Sequence, residues 1–284
     1  MVGEMRGRFR RWLTRPPRPH GATIVNRRVS FLEPFYDLVY VAVIGQTGHQ
    51  LAEHISVRGV VEFAIAWIGA LLVLGRSGTG MSLAATHSLV ERFGLFTIIV
   101  LGEVVFGVVE GLVSAERDSP TVGVGLLALC IGFGFWWIYF DLVGRRLPRS
   151  DGGALTNWIV SHFPIALSIA AAGAAIVSLI EHAHDVSAPA STAWLLAGAV
   201  ALGLLALIVI EQALADAERL FSVYRPLSLV LAIGAVAALA VGWVRPAPWL
   251  LALLLVVVLS VLWVFAVLRF LSADAWGDAP AAVD

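Results

Sequence analysis

The sequence predicts an all-α polytopic membrane bundle of about eight spans with both termini on the cytoplasmic side. Three observations point there. The first is composition: the chain is 59% hydrophobic and only 14% charged, with a mean hydropathy of +0.88, whereas a soluble chain carries about 25% charged residues. The second is arrangement, because the apolar residues come in blocks of about 17–25, the length a helix needs to cross the hydrocarbon core. The third is the placement of the 19 basic residues, all of them Arg. Sixteen fall on alternate connections and only three on the others, the asymmetry that sets orientation in a bilayer.

Taken in order, residues 1–28 are an Arg-rich arm, expected to be a cytoplasmic tail attracted to anionic headgroups. It does not read as a secretory signal, since no small-residue cleavage site follows and the next apolar segment carries acids. Residues 29–271 form the transmembrane domain and 272–284 a short cytoplasmic tail. Spans are expected at 33–54, 59–76, 93–113, 121–143, 157–180, 192–212, 227–244 and 247–269. Breaker-rich loops separate them, among them "RSGTG", "ERDSP", "RRLPRSDGG", "HDVSAPAS" and "RPAP". With the N-terminus inside, only Arg58, Arg117 and Arg245 lie on outer connections. All-Arg basicity beside many Ala, Gly and Val residues is typical of a GC-rich, bacterial genome. The lone Cys130 rules out an intrachain disulfide framework and a Cys-based metal site.

The first span, "SFLEPFYDLVYVAVIGQTGHQ", holds polar groups that lipid does not accept. A charge at the bilayer centre costs about 2.5–3.5 kcal/mol on insertion scales, so such groups face protein or water. On a helical wheel Glu33, Asp37 and Tyr40 share a stripe on the cytoplasmic half, while Gln46, His49 and Glu53 share a roughly opposite stripe on the outer half. The helix is therefore expected to touch protein or water on both faces. Glu33 and Glu53 fit the two headgroup levels; Asp37 lies deeper and is the most diagnostic.

The third span, "HSLVERFGLFTIIVLGEVVFGVVEGLV", opens with His87 and Glu91 one turn apart, with Arg92 alongside. Glu103, Gly107 and Glu110 then recur on one face, and Gly107 with Gly111 makes a GxxxG that lets another helix come close. Glu103 is expected to face the bundle interior, either as a functional carboxyl or as a hydrogen-bonded structural one. His162, in the fifth span ahead of Pro164, is read as a hydrogen-bonded structural residue or a ligand. Glu181, His182, His184 and Asp185 read as a solvated outer loop, although the HxH spacing could bind a metal. Glu211, at a cytoplasmic end, reads as solvated. A weak echo links "SFLEPF" with "SLVERF" and, further on, Gly45–Gln46 with Gly102–Glu103. It suggests a parallel repeat, and transporters often place sites where repeats meet.

Two stretches, "FLEPFYDLVYVAVIGQTGH" (31–49) and "HSLVERFGLFTIIVLGE" (87–103), resemble the bacterial low temperature requirement A family. The resemblance implies a multi-pass membrane protein tied by name to growth in the cold, and it implies no particular reaction. Its motif acids fall on Glu33, Asp37, Glu91 and Glu103, with His87 and Arg92 alongside. Typical members are longer, with several more hydrophobic segments between the two motifs, where this chain has only residues 50–86.

The function expected is a transporter or channel-like protein for a small solute or ion in the bacterial inner membrane. Its candidate intramembrane polar site is Glu33, Asp37, His49, His87, Glu91, Arg92, Glu103 and His162. The alternative is a non-transporting protein that adapts the envelope or scaffolds a partner in the cold. No phosphate loop, dinucleotide fingerprint, nucleophile elbow or paired-His zinc helix occurs, so no enzyme, no cofactor and no metal is expected. His87 and Glu91 give a membrane-embedded enzyme only distant support. The partners expected are the bilayer, a small solute or ion and, as an open matter, a second copy of the chain; no nucleic acid is expected.

Overall fold

The computed structural model describes residues 45–53, 55–77 and 85–272. The Arg-rich arm, Glu33, Asp37, Tyr40 and the tail from 273 lie outside the described residues. All the described regular structure is helical, apart from one isolated bridge between Pro148 and Leu214. The helices are α1 (45–53), α2 (Val57–Ser77), α3 (His87–Ser114), α4 (Ser119–Leu142), α5 (Gly152–Glu181), α6 (Ala190–Glu211), α7 (Phe221–Val244) and α8 (Pro248–Ser272). Among the described residues six helices, α3 to α8, are long and apolar enough to cross a membrane. α2 covers the second expected span and α1 the outer end of the first.

Several helices start before their apolar run because polar caps, invisible to hydropathy, set the first turn. Thr86 accepts from the Leu89 N–H, Asp118 from Thr121 and Asp151 from Ala154, each satisfying a backbone donor that the helix leaves open. α5 runs on through Pro164, which leaves the Val160 carbonyl without its intrahelical donor. α7 ends on Arg245, whose left-handed φ of 50° turns the chain into Pro246.

Short connections make α3 to α8 run up and down, and loop contacts show which ends meet. The Ala188 N–H donates to the Pro246 carbonyl at one end; at the other, the Arg149 N–H donates to the Ala213 carbonyl. Neighbours close into a ring in the order α3, α4, α8, α7, α6 and α5, with α2 against α5. α5 is the hub. Most of α5 is buried among the other helices, whereas α3, α7 and α8 leave most of their apolar surface uncovered by the described residues. Small residues make this possible: the stretch from Ala170 to Ala175 is buried throughout and lets α3 and α6 approach closely. Arg92, Arg145, Arg146, Arg149, Arg219, Arg225 and Arg269 gather at one end; Arg58, Arg117 and Arg245 lie at the other.

Candidate functional site

The close approach expected at Gly107 and Gly111 is made, and α5 is the partner. A Cβ on Gly107 would stand 2.2 Å from the Gly173 carbonyl oxygen, and one on Gly173 would stand 2.5 Å from the Glu103 carbonyl oxygen. A Cβ on Gly111 would meet Ile180 at 2.9 Å. The α3 and α5 backbones therefore touch at this crossing, and no larger residue fits.

Beside the crossing, α1, α3 and α5 enclose a cavity of about 390 Å³. α5 contributes its small-residue face, with Ala170, Gly173 and Ala174. α3 contributes Glu103, Phe106, Gly107 and Glu110, and α1 contributes Gly45, Gln46, Gly48, His49 and Ala52. Among the described residues the polar lining is thus two carboxyls, an imidazole and an amide, with no Arg. His49 Nδ1 lies 2.8 Å from Glu110 Oε1, and its Nε2 lies 3.6 Å from Glu53 Oε1. Glu103 packs against Gly45, where an added Cβ would stand 2.8 Å from its carboxyl oxygen. The Glu103 carboxyl is half-buried and accepts no hydrogen bond among the described residues. It lines the cavity beside Gly45 and Gln46.

The order of these contacts settles the direction of α1. Gly45 meets Glu103 and His49 meets Glu110, so α1 and α3 run the same way. Gly45 and Gln46 from one half of the sequence echo and Glu103 from the other line this cavity.

The remaining sequence-predicted residues separate. His87 and Glu91 line a second cavity of about 460 Å³ at the Arg-rich end, with Trp136, Phe140 and Arg145. Arg92 sits next to them on α3, partly buried and with a partner of its own. His162 joins neither cavity. It is 2% exposed, between the Phe93 and Trp158 rings. Its Nδ1 lies 2.7 Å from the Trp158 carbonyl oxygen, which only accepts, so Nδ1 carries the proton. Nε2 is then the acceptor for the Tyr139 hydroxyl at 3.0 Å. Both nitrogens are occupied, which is the hydrogen-bonded alternative of the sequence reading. In the connection between α5 and α6, His184 pairs with Asp118 at 2.9 Å, and among the described residues no group of three metal-ligating side chains forms. Bonds to Thr121 hold the Asp118 carboxyl below its ordinary range, with His184 adding to the effect.

Glu211 corrects an expectation. It is 1% exposed rather than solvated, and its Oε2 accepts from Ser228 Oγ at 2.9 Å. The connection 143–151 folds against 212–220 through the Pro148–Leu214 bridge and an Arg146–Asp216 ion pair, covering that end of α6. Nothing next to Glu211 in sequence announces this. Glu110 and Gly173 were also missing from the predicted site. Glu110 had a signal, its seven-residue spacing from Glu103; Gly173 had only its place in the run "AAAGAA".

Searches of curated proteins and of solved structures find no match to this chain. A family model, described as bacterial low temperature requirement A protein (LtrA), matches residues 28–73 and 69–263. Its two stretches meet at 69–73, between the motifs at 31–49 and 87–103, and between them they include every described residue that lines the cavity. With most of its length matched and its long apolar helices suited to a bilayer, the chain belongs to the bacterial low temperature requirement A family of membrane proteins.

Proposed function

We propose that this multi-pass membrane protein is a transporter or channel-like protein for a small solute or ion, seated in the bacterial inner membrane. The observation that carries the reading is the cavity of about 390 Å³ where Glu103, Glu110, His49 and Gln46 converge beside the α3–α5 crossing. Polar groups at such depth are costly unless they serve a pathway or a partner. The acids, amide and imidazole that line it among the described residues favour a cation, a proton or a solute rich in hydrogen-bond donors. By the positive-inside rule, the end that gathers Arg145, Arg146, Arg149 and Arg269 faces the cytoplasm, which puts Glu110 and His49 toward the outer side.

The test is reconstitution in liposomes with proton, cation and metabolite flux measured in parallel. Flux that falls to the level of empty liposomes in a Glu103→Gln, His49→Ala double variant supports the reading; flux unchanged by it overturns the reading. The tight Gly107–Gly173 crossing favours a second reading, in which Glu103 and its neighbours only hold helices together in an envelope or scaffolding protein. That reading requires the same double variant to lower thermal stability in detergent while every flux of the wild type stays at background. An enzymatic use of His87 and Glu91 forms no part of the proposal.

A further inference from the structure

The seam between α3 and α4 carries charges of both signs at one end and only apolar walls beyond them. The charged end is the cavity of about 460 Å³, to which α3 contributes His87 and Glu91 and the segment after α4 contributes Arg145. Among the described residues none of these three side chains makes a hydrogen bond or an ion pair. An acid and an Arg that line one cavity without pairing leave room for a ligand that carries both charges. Next to the charges the walls turn apolar, with Leu95 and Ile98 on α3 and Trp136 and Phe140 on α4. Trp136 also lines a second, apolar cavity of about 270 Å³, together with Val105 and Phe133, so the two cavities continue one another along the seam. From Leu95 to Val105 the seam runs about 15 Å at the helical rise, the depth of one leaflet. Ile98, Val105 and Phe133 are exposed, so the seam opens on the outside of the bundle, where lipid lies.

We propose that this seam binds one phospholipid with a phosphoethanolamine headgroup, taken from the leaflet at the Arg-rich end. The phosphate meets Arg145, with the His87 N–H as a second donor, and the ammonium meets Glu91. One acyl chain lies over Trp136 between α3 and α4. A free zwitterion would satisfy the charges but leave the apolar strip empty. An anionic lipid would fill the strip but leave Glu91 without a partner. No residue of the seam lines the cavity that holds Glu103, so the proposal stands independently of the transport reading.

The experiment takes the full chain, delipidated in detergent, and offers it equal amounts of phosphatidylethanolamine and phosphatidylglycerol with identical chains. Lipid retained after washing is counted by mass spectrometry. The expected result is one phosphatidylethanolamine per chain, preferred about fivefold, the ratio for roughly 1 kcal/mol from an exposed ion pair. Glu91→Gln should erase the preference while retention persists, and Arg145→Gln should lower retention of both lipids. Ile98→Trp, at an exposed position, should fill the seam and abolish retention without lowering the melting temperature. Equal retention of the two lipids, a preference for phosphatidylglycerol, or a preference that survives Glu91→Gln overturns the proposal. So does an Arg145→Gln or Ile98→Trp variant that keeps as much lipid as wild type. Displacement by soluble phosphoethanolamine as readily as by fresh lipid overturns it too, since the apolar strip would then play no part. Should Ile98→Trp melt lower, the wild type answers alone: phosphatidylethanolamine with brominated chains should quench emission that is lost in Trp136→Phe. Absence of that quenching sinks the proposal as well.

Discussion

Two glutamates in apolar helices meet opposite fates in this molecule. Glu103, on α3, opens onto the α1–α3–α5 cavity and accepts no hydrogen bond among the described residues. Glu211, at the end of α6, is 1% exposed, takes a hydroxyl from Ser228 and lies beneath two connections locked together by Arg146 and Asp216. The Glu211 carboxyl is sealed: one oxygen is held by Ser228, and the other, Oε1, is buried with no hydrogen-bond partner among the described residues. The Glu103 carboxyl lines a cavity, where it can exchange what it binds. Accessibility, rather than unmet bonding or depth, separates the two.

The comparison depends first on the helix crossing that frames the open site, and the largest effect is expected there. Gly107→Leu would drive side-chain atoms into the Gly173 backbone, where even a Cβ comes within 2.2 Å of its carbonyl oxygen. Overpacking of this kind costs about 3 kcal/mol or more where backbone blocks relaxation. The expected outcome is a large drop in detergent melting temperature and in monodisperse yield. A variant that melts like wild type would mean that the crossing does not frame the cavity.

At the sealed end, Arg146→Ala should come next. It removes the ion pair with Asp216 and a guanidinium lying 4.4 Å over the Phe270 ring. Both ion-pair members retain some exposure, so the loss should be about 2 kcal/mol rather than the full cost of breaking a buried pair. Melting should fall while any flux per folded molecule is unchanged. Reduced flux at full stability would erase the distinction between the two ends.

Glu211→Gln should be milder still. The amide keeps an oxygen for the Ser228 hydroxyl and the shape of the side chain, so the change should stay below about 1 kcal/mol with flux intact. Flux lost here would move Glu211 from the structural class to the functional one.

How far the sequence foretold these roles depends on the kind of signal. The apolar runs marked each described helix, because bilayer thickness sets the length of a spanning run. The caps Thr86, Asp118 and Asp151 extended helices beyond the runs, since a helix end answers to its backbone donors rather than to lipid. The Gly107–Gly111 spacing foretold a close crossing but not that α5 would make it; the weak repeat echo suggested a parallel pair of helices, and Gly45, Gln46 and Glu103 do line one cavity. Burial of Glu211 was illegible, because it arises from loops 143–151 and 212–220 meeting across some sixty residues of sequence. The dispersal of His87, Glu91 and His162 away from Glu103 was illegible for a related reason: helical period gives the face of a residue but not which neighbour covers it.

The smallest stability change, and the sharpest test, belongs to Glu103→Gln. No described hydrogen bond is lost and the side-chain volume is kept, so melting should move by less than about 0.5 kcal/mol. A purely structural carboxyl cannot combine that silence with a functional loss. If flux falls while melting holds, the work of Glu103 lies with whatever enters the cavity. If melting falls by as much as in Arg146→Ala, Glu103 is held by its surroundings as firmly as the sealed cluster, and the contrast with Glu211 collapses. Glu103→Asp separates charge from reach: it keeps the carboxyl but withdraws it by one methylene from Gly45, which it now touches. Flux that returns in the aspartate variant would assign the role to the charge, whereas flux absent in both would assign it to the position of the carboxyl between α1 and α3.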